Sequence, residues 1–326
     1  GFSELINTVI LERYAEDFGV GLSELSQLRP LHFQFDRYRG KFLTSGFLHY
    51  GTAEQAAPAA GNLWTLALDT VLAREPFLVS NHDSEEMEVL VQDAANQLYL
   101  VAKDGQLLWK VQLDGPIVGD VHQIDYYKNR KLQYLFSTTN SIHLVDRKGR
   151  PVADYPIQFS AGASAGVACI DYDGKRDYRI FLGAENGNLY GYYKTGKPLP
   201  GWSPLRSNGV LTHPVEHFAY AGKDYLALAT QDGKLQLLNR RGEPRREAIN
   251  LGSPLLTPIR FSESDGLVME ACDTLGRLLR IKLDGTYNSL QLPRISDRSL
   301  LATAQLSDKS LARSEEHTSE LQSRQY

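Results

Sequence analysis

From Trp64 to Leu292 the chain alternates short apolar runs of about five to seven residues with polar turns rich in Gly, Asn and Asp, and the alternation itself recurs. Five glycines, Gly105, Gly149, Gly196, Gly242 and Gly285, stand 43 to 47 residues apart, each closing a similar phrase. Asn96-Gln-Leu-Tyr leads to Asp104-Gly105, Asn140-Ser-Ile-His to Lys148-Gly149, and Asn188-Leu-Tyr to Thr195-Gly196. Asp232-Gly-Lys-Leu leads to Arg241-Gly242, and Leu275-Gly-Arg-Leu to Asp284-Gly285. A repeat of this length is one supersecondary unit that cannot bury its apolar faces alone, so the copies must stack. Helix-pair repeats of similar length need long runs at a period of 3.6 residues, which these short runs do not supply.

Within a unit the pattern predicts four strands. In the unit from Asp120 to Tyr155 they fall at 121–126, 132–137, 142–145 and 151–155. The second strands (Tyr134-Leu-Phe136, Tyr178-Arg-Ile-Phe-Leu182, Tyr225-Leu-Ala-Leu228 and Leu267-Val-Met269) have few polar interruptions, which predicts burial on both faces. Four-stranded units stacked on both sides are the blades of a β-propeller, so the expected fold is all-β with about five blades present. Trp64-Thr-Leu-Ala-Leu68-Asp matches Trp109-Lys-Val-Gln-Leu113-Asp and is expected to form an outer strand ahead of the first complete unit, while Leu290 onward is a candidate start of another. The count predicts a truncated propeller whose closing blades lie downstream.

The flanks read differently. Leu5, Ile6, Val9, Ile10 and Tyr14 have the spacing of a short amphipathic helix ended by Gly19 and Gly21, and Leu31–Asp36 with Phe42–Tyr50 predicts a β-hairpin. Residues 1–50 are therefore expected to be the tail of an upstream α+β domain, 51–61 a linker and 62–312 the partial propeller. Arg313-Ser-Glu-Glu-His-Thr-Ser-Glu-Leu-Gln-Ser323 matches the in-frame translation of a common sequencing-library adapter, so 313–326 is read as an artefactual tail, with the natural protein continuing beyond Ala312.

Composition narrows the function classes. A net charge of −4 with no Lys/Arg block argues against nucleic acid as a partner. No run approaches a membrane span in this fragment, although the full-length protein is open to having an anchor. Cys169 and Cys272 have no metal-ligand spacing and read as buried thiols.

Lys103-Asp-Gly105-Gln-Leu-Leu-Trp109 resembles the Gly-x-x-x-Trp turn-and-strand of quinoprotein-like propellers. In that family the Trp docks against the neighbouring blade, which the resemblance implies for Trp109 and, by offset, Trp64. Ala153, Pro200, Arg246 and Ser289 stand at the other equivalent positions. A wider set, including Asn81-His82, His122-Gln-Ile-Asp125, Lys131-Leu-Gln-Tyr-Leu-Phe136 and Leu238-Asn-Arg-Arg-Gly242, is similar to a poorly characterised family of large bacterial envelope proteins. The resemblance implies a periplasmic or membrane-anchored propeller and brings no activity with it.

Three motifs bear on chemistry. Gly162-Ala-Ser164-Ala-Gly166 fits the nucleophile-elbow pattern, but that motif needs a strand-to-helix turn and here a strand follows, so a small-residue crossover is expected. His213-Pro-Val-Glu216-His217 fits a zinc-binding string, yet Pro214 and Phe218-Ala-Tyr220 predict a strand, where positions i and i+4 lie about 13 Å apart. Asp171, Asp173 and Asp177 around Gly174 form the best ion candidate: Ca²⁺ takes six to eight oxygens, but a fourth acid is lacking and Lys175-Arg176 intrude. An Asp-Gly β-turn is the alternative.

Propellers bind at a channel mouth lined by the turns between second and third strands. Those turns carry Asp93, Asn140, Glu185, Asn186, Asp232 and Asp273, a mildly acidic set suited to a cation, a polar ligand or a protein. With no nucleophile–base pair in evidence, the expected function is a non-enzymatic scaffold or recognition module of a bacterial cell-envelope protein, with no cofactor apart from the Ca²⁺ candidate. The alternative is a quinoprotein-type enzyme whose site is incomplete in this fragment.

Overall fold

The computed structural model describes residues 32–38, 41–47, 64–202, 204–262, 266–292, 300–306 and 309–315. The expected helix at 2–18, the linker at 51–61 and the tail from 316 onward lie outside them. The chain divides into two compact units, with the boundary between Leu63 and Trp64. In the first, β1 (His32–Tyr38) and β2 (Lys41–Phe47) pair antiparallel as a hairpin.

From Trp64 onward the strands form five consecutive four-stranded antiparallel meanders. The first blade comprises β3 (Phe77–Ser80), β4 (Met87–Gln92), β5 (Gln97–Val101) and β6 (Leu107–Gln112). The second comprises β7 (Ile117–Ile124), β8 (Gln133–Thr138), β9 (Ser141–Asp146) and β10 (Ile157–Gln158). The third has β11 (Ala168–Ile170), β12 (Arg179–Gly183), β13 (Asn188–Tyr193) and β14 (Leu205–Arg206). The fourth has β15 (Glu216–Tyr220), β16 (Lys223–Ala229), β17 (Lys234–Leu238) and β18 (Ile249–Asn250), and the fifth β19 (Arg260–Ser262), β20 (Val268–Cys272), β21 (Arg277–Lys282) and β22 (Tyr287–Gln291).

The second strands are buried on both faces as their unbroken apolar runs require, β8 and β20 along their whole length. Each adjacent pair of blades shares one hydrophobic core. Leu98, Leu100, Tyr134 and Phe136 join the first to the second, and Leu135, Leu144, Ile180 and Leu182 the second to the third. Phe181, Trp202, Leu226 and Leu228 join the third to the fourth, and Leu237, Met269, Leu279 and Ile281 the fourth to the fifth. Among the described residues no core joins the first blade to the fifth.

Three expected elements are placed differently. The fourth strand of the second blade is Ile157–Gln158, not 151–155: Pro151 makes only an isolated bridge to Val145, and the peptide Tyr155–Pro156 is cis. Trp64–Asp69 is not a strand but an extended cover, with Trp64, Leu66 and Leu68 packed on Val91, Tyr99 and Val101 of the first blade. Leu290 belongs to β22 rather than to a further blade. The next hairpin is β23 (Leu300–Leu306) with β24 (Lys309–Glu315).

The five repeat glycines have one local role and one role between blades. Each turns the third strand into the fourth: its N–H reaches the carbonyl three residues back, as Gly149 does to Asp146 at 2.9 Å, and its φ lies between +78° and +86°. That is a type I turn closed by a left-handed residue, which glycine enters without strain. The bare face is also covered by the preceding blade. At Gly105 a Cβ would lie 2.4 Å from the Trp64 ring, and at Gly149 2.9 Å from Trp109.

The covering residue also donates to the carbonyl two residues before the glycine, every time. Trp64 Nε1 donates to Lys103 O (2.8 Å), Trp109 Nε1 to Arg147 O (2.7 Å) and Trp202 Nε1 to Arg240 O (3.2 Å). Where no Trp stands, Tyr155 Oη donates to Lys194 O (2.9 Å) and Arg246 to Leu283 O (3.0 Å). The docking implied for Trp109 and Trp64 is therefore present in all five units. Ala153 and Pro200 were the wrong equivalents because Tyr155 and Trp202 follow their glycines by six residues instead of four.

Candidate functional site

The meander puts the turns between second and third strands at the same end as the crossovers between blades, and isolated bridges tie the two together at Leu72–Asp93, Ala163–Ala184, Leu211–Thr230 and Leu255–Asp273. All six residues expected at the mouth lie in these turns, but their roles diverge. Asp93 is fully buried, accepting the N–H groups of Ala95 (3.0 Å) and Gln97 (2.9 Å) and the hydroxyl of Tyr99 (2.8 Å). Asp273 is equally buried, held by the N–H groups of Leu275 and Arg277, by Ser253 Oγ (2.6 Å) and by Arg277 Nε (2.7 Å). Burial opposes both charges, but these donors outweigh it and hold both carboxyls below the usual range. These two acids are turn braces, turned inward.

Of the rest, Asp232 accepts from Thr230 Oγ1 and pairs with Lys234 (2.6 Å), and Asn186 Oδ1 takes the N–H of Asn188. Asn140 and Glu185 are exposed. The rim also holds an acid the sequence reading missed. Asp114, in the first crossover, accepts Thr138 Oγ1 (2.8 Å), His143 Nε2 (2.9 Å) and Ser141 Oγ. This Ser–Asp–His set has the carboxylate in the middle, so the imidazole does not touch the hydroxyl and cannot take its proton. The set pins a crossover to a turn.

The first strands carry side chains that clasp the next blade. Arg74 donates to Ile117 O (3.1 Å) and Gly119 O (2.7 Å), and His122 Nε2 lies 2.9 Å from Val167 O. The zinc-like string belongs to this series: His213 Nε2 faces Leu256 O (3.3 Å), Glu216 Oε1 accepts Ile259 N–H (2.7 Å), and His217 instead meets Asp224 (2.7 Å). The three face different partners. Burial pushes Glu216 up to about 7 against the opposing Ile259 N–H. The elbow-like motif is a crossover: Gly166 packs so closely on Gly119 that a Cβ would lie 2.6 Å from its Cα, and Gly162 leaves room for the Glu185 carboxylate.

At the opposite end lie the turns joining first to second and third to fourth strands. The acid-rich turn 171–177 repeats the hydrogen bonding of the second blade. Asp125 accepts Asn129 N–H (2.9 Å) and Arg130 N–H (2.7 Å), and Asp171 accepts Lys175 N–H (3.1 Å) and Arg176 N–H (2.7 Å). Asp173 pairs with Arg240 (3.1 Å) and Asp177 with Lys128 (2.6 Å). The three carboxylates are thus divided among a turn and two cations. Among the described residues no group of three or more His, Cys, Asp or Glu side chains is placed to hold a metal.

Beside this turn a cleft of about 670 Å³ opens between the third and fourth blades. Its apolar wall is Phe181, Leu199 and the buried Trp202, whose ring centroid is 4.7 Å from that of Phe181. Five cationic side chains line it against three carboxylates, so its charge is positive on a chain that is negative overall. Arg240 is fixed over the Tyr172 ring at 4.3 Å and bridges Asp173 to Asp224 Oδ2 (2.5 Å). Lys194 is spent on Tyr126 O (2.8 Å) and Arg176 O (3.1 Å). Lys197, Arg241 and the buried Tyr172 hydroxyl have no side-chain partner among the described residues. The sequence carried a signal for this site in Arg240-Arg241 beside Gly242, read only as part of the repeat.

The chain matches no protein-family model and no curated protein sequence. Among solved structures it is similar to BBS1N in its complex with ARL6DN, at a TM-score of 0.56 and 13% identity, covering 75% of this chain and 79% of that one. It is also similar to BamB from Moraxella catarrhalis, at a TM-score of 0.54 and 15% identity, covering 77% of this chain and 70% of that one. The fold is a β-propeller.

Proposed function

We propose that the chain is a protein-recognition propeller of a bacterial cell-envelope protein, a scaffold that holds a partner and performs no chemistry on it. One observation carries the reading: the side chains that resemble catalytic or metal-binding groups are each engaged in holding blades or turns together, whereas unspent polar groups collect in an open, positively charged cleft. The similarity to a propeller crystallised with a protein, ARL6DN, supports a protein as the partner. The sequence resemblance to envelope proteins, together with the structural likeness to BamB, supports the compartment.

The test is cross-linking mass spectrometry on intact cells of the natural host, coupled to fractionation. The protein is expected in the envelope fraction, with inter-protein cross-links from one reproducible partner landing on the propeller. Recovery in the cytosolic fraction with intra-chain links alone would overturn the proposal.

A further inference from the structure

Resting on the recognition reading, we infer that the cleft between the third and fourth blades binds a short peptide segment bearing a carboxylate and an apolar side chain. The size suits it, since clefts of about 300–1,000 Å³ hold compact ligands with most of their surface buried. At about 670 Å³ the cleft takes a few residues of extended chain. Its composition is that of a two-part reader, with an apolar wall of Phe181, Leu199 and Trp202 and cations beside it.

The wall is rigid because it is core. Phe181 and Trp202 are each 1% exposed, and both belong to the cluster that joins the two blades. An apolar side chain laid there meets preformed surface and orders nothing new. The sign of the ligand follows from which charges are spent. Asp171, Asp173 and Asp177 are neutralised within the turn and by Arg240 and Lys128. What remains is the ammonium of Lys197 and the guanidinium of Arg241, both solvent-facing. A guanidinium and an ammonium are donors only, and a carboxylate is the acceptor that peptides supply. The Tyr172 hydroxyl is buried without a partner, a group that costs free energy until an acceptor or donor reaches it. Its ring is held by Arg240 on one side and by the edge of His217, 4.9 Å away, on the other. It cannot swing out to water without breaking that sandwich.

The carboxylate has two sources in a protein, the chain terminus and an Asp or Glu side chain, and the experiment separates them. Purified chain is titrated calorimetrically with three peptides in one frame: acetyl-Ala-Glu-Phe-Asp as the free acid, the same peptide as its C-terminal amide, and acetyl-Ala-Gln-Phe-Asn amide. Binding of the acidic peptides, weakening with added salt, is expected, and the neutral peptide should bind at least tenfold more weakly. Preference for the acid over its amide assigns the chain terminus, and equal binding assigns the side chains. Lys197→Gln and Arg241→Gln should each lower affinity about tenfold, and Tyr172→Phe severalfold, with unchanged thermal melts because none removes core packing. Equal binding of the neutral peptide, no binding by any peptide at millimolar concentration, or wild-type affinity in both charge variants would overturn the inference. Cross-links in cells that map to another face of the propeller would also overturn it while leaving the recognition reading intact, whereas absence of any partner removes that reading itself.

Discussion

Glu216 offers the sharpest test of the clasps between blades. Its carboxyl sits at the start of β15, half-buried, with Oε1 2.7 Å from the N–H of Ile259 in the next blade. Burial raises its pKa from 4.5 to about 7, against smaller opposing contributions from the Ile259 N–H and the Arg260 charge. In the unfolded chain the proton leaves near 4.5, and in the folded chain near 7. The stability that the neutral carboxyl contributes is therefore complete below pH 4.5 and lost as pH rises through 7. At about 1.4 kcal/mol per pH unit the full difference is about 3 kcal/mol, and partial exposure reduces it to about 2–3 kcal/mol. Glu216→Gln keeps the acceptor for Ile259 and removes the titration. The variant should match the wild type at pH 4.5 and exceed it by about 2–3 kcal/mol at pH 8.5. The neighbouring His213 is held neutral by burial in both proteins, so its own titration cancels in the difference. Hydrogen exchange at the Ile259 amide, measured at both pH values alongside urea unfolding, reads the clasp itself. A stability gap between the two proteins that is the same at pH 4.5 and pH 8.5 would show that Glu216 is not titrating in this window.

Other outcomes follow from the same geometry. Trp202→Ala should cost about 3–5 kcal/mol, the range for a fully buried aromatic, and Trp109→Ala about 2–4 kcal/mol because its ring is only half-buried; equal melting midpoints for wild type and Trp202→Ala would refute the placement. Asp273→Asn leaves Arg277 facing a neutral brace and should cost about 2–4 kcal/mol at pH 7. That loss should shrink in acid, since a carboxyl held below 3.8 contributes above that pH and fades as pH falls through its folded value; urea titrations at pH 7 and pH 3 check it. Millimolar Ca²⁺, or its removal with chelator, should leave the thermal melt unchanged because the carboxylates at 171, 173 and 177 are already paired. A Ca²⁺-dependent rise lost in Asp173→Ala would reverse that reading.

The blade architecture was legible because it is written in features of short range. The left-handed glycines, the unbroken apolar runs of second strands and the polar turns each obey local rules, and all five units repeat them. What escaped is what depends on pairing at long range. Asp93 and Asp273 look like rim acids in the sequence, yet one Tyr and one Arg a few residues on turn them inward. Nothing local distinguishes such a brace from an exposed Asp232. Tyr155 and Trp202 were missed because a two-residue insertion moves the docking position, and only the donor reaching across to Lys194 O or Arg240 O reveals equivalence. The cleft was illegible for the same reason: Tyr172, Trp202 and Arg241 come from different turns, and only the stacking of blades brings them to one wall.

The five interblade staples share a direction, and the direction has a structural consequence. In each, a donor on the N-terminal side closes the glycine turn of the blade that follows, from Trp64 onto Gly105 through to Arg246 onto Gly285. No blade closes its own turn. The identity of the donor is free, since an indole, a phenol and a guanidinium all serve; what is constrained is a flat, N–H- or O–H-bearing group that can cover a glycine and still reach the carbonyl two residues before it. This explains why Trp is sparse in the repeat while the glycines are not. It also explains why Trp64–Leu68 is integral to the propeller without being a strand: it supplies to the first blade what every later blade receives from its predecessor. The series reaches Gly285 and stops there among the described residues, for Gln291 turns back onto Leu275 O (3.1 Å) in its own blade. The outer strand β22 is correspondingly exposed along its whole length. A stack stapled in one direction has two unlike ends, one capped by a preceding segment and one presenting an unspent strand, so each added blade is received by the one before it and must itself bring the glycine turn that accepts the staple.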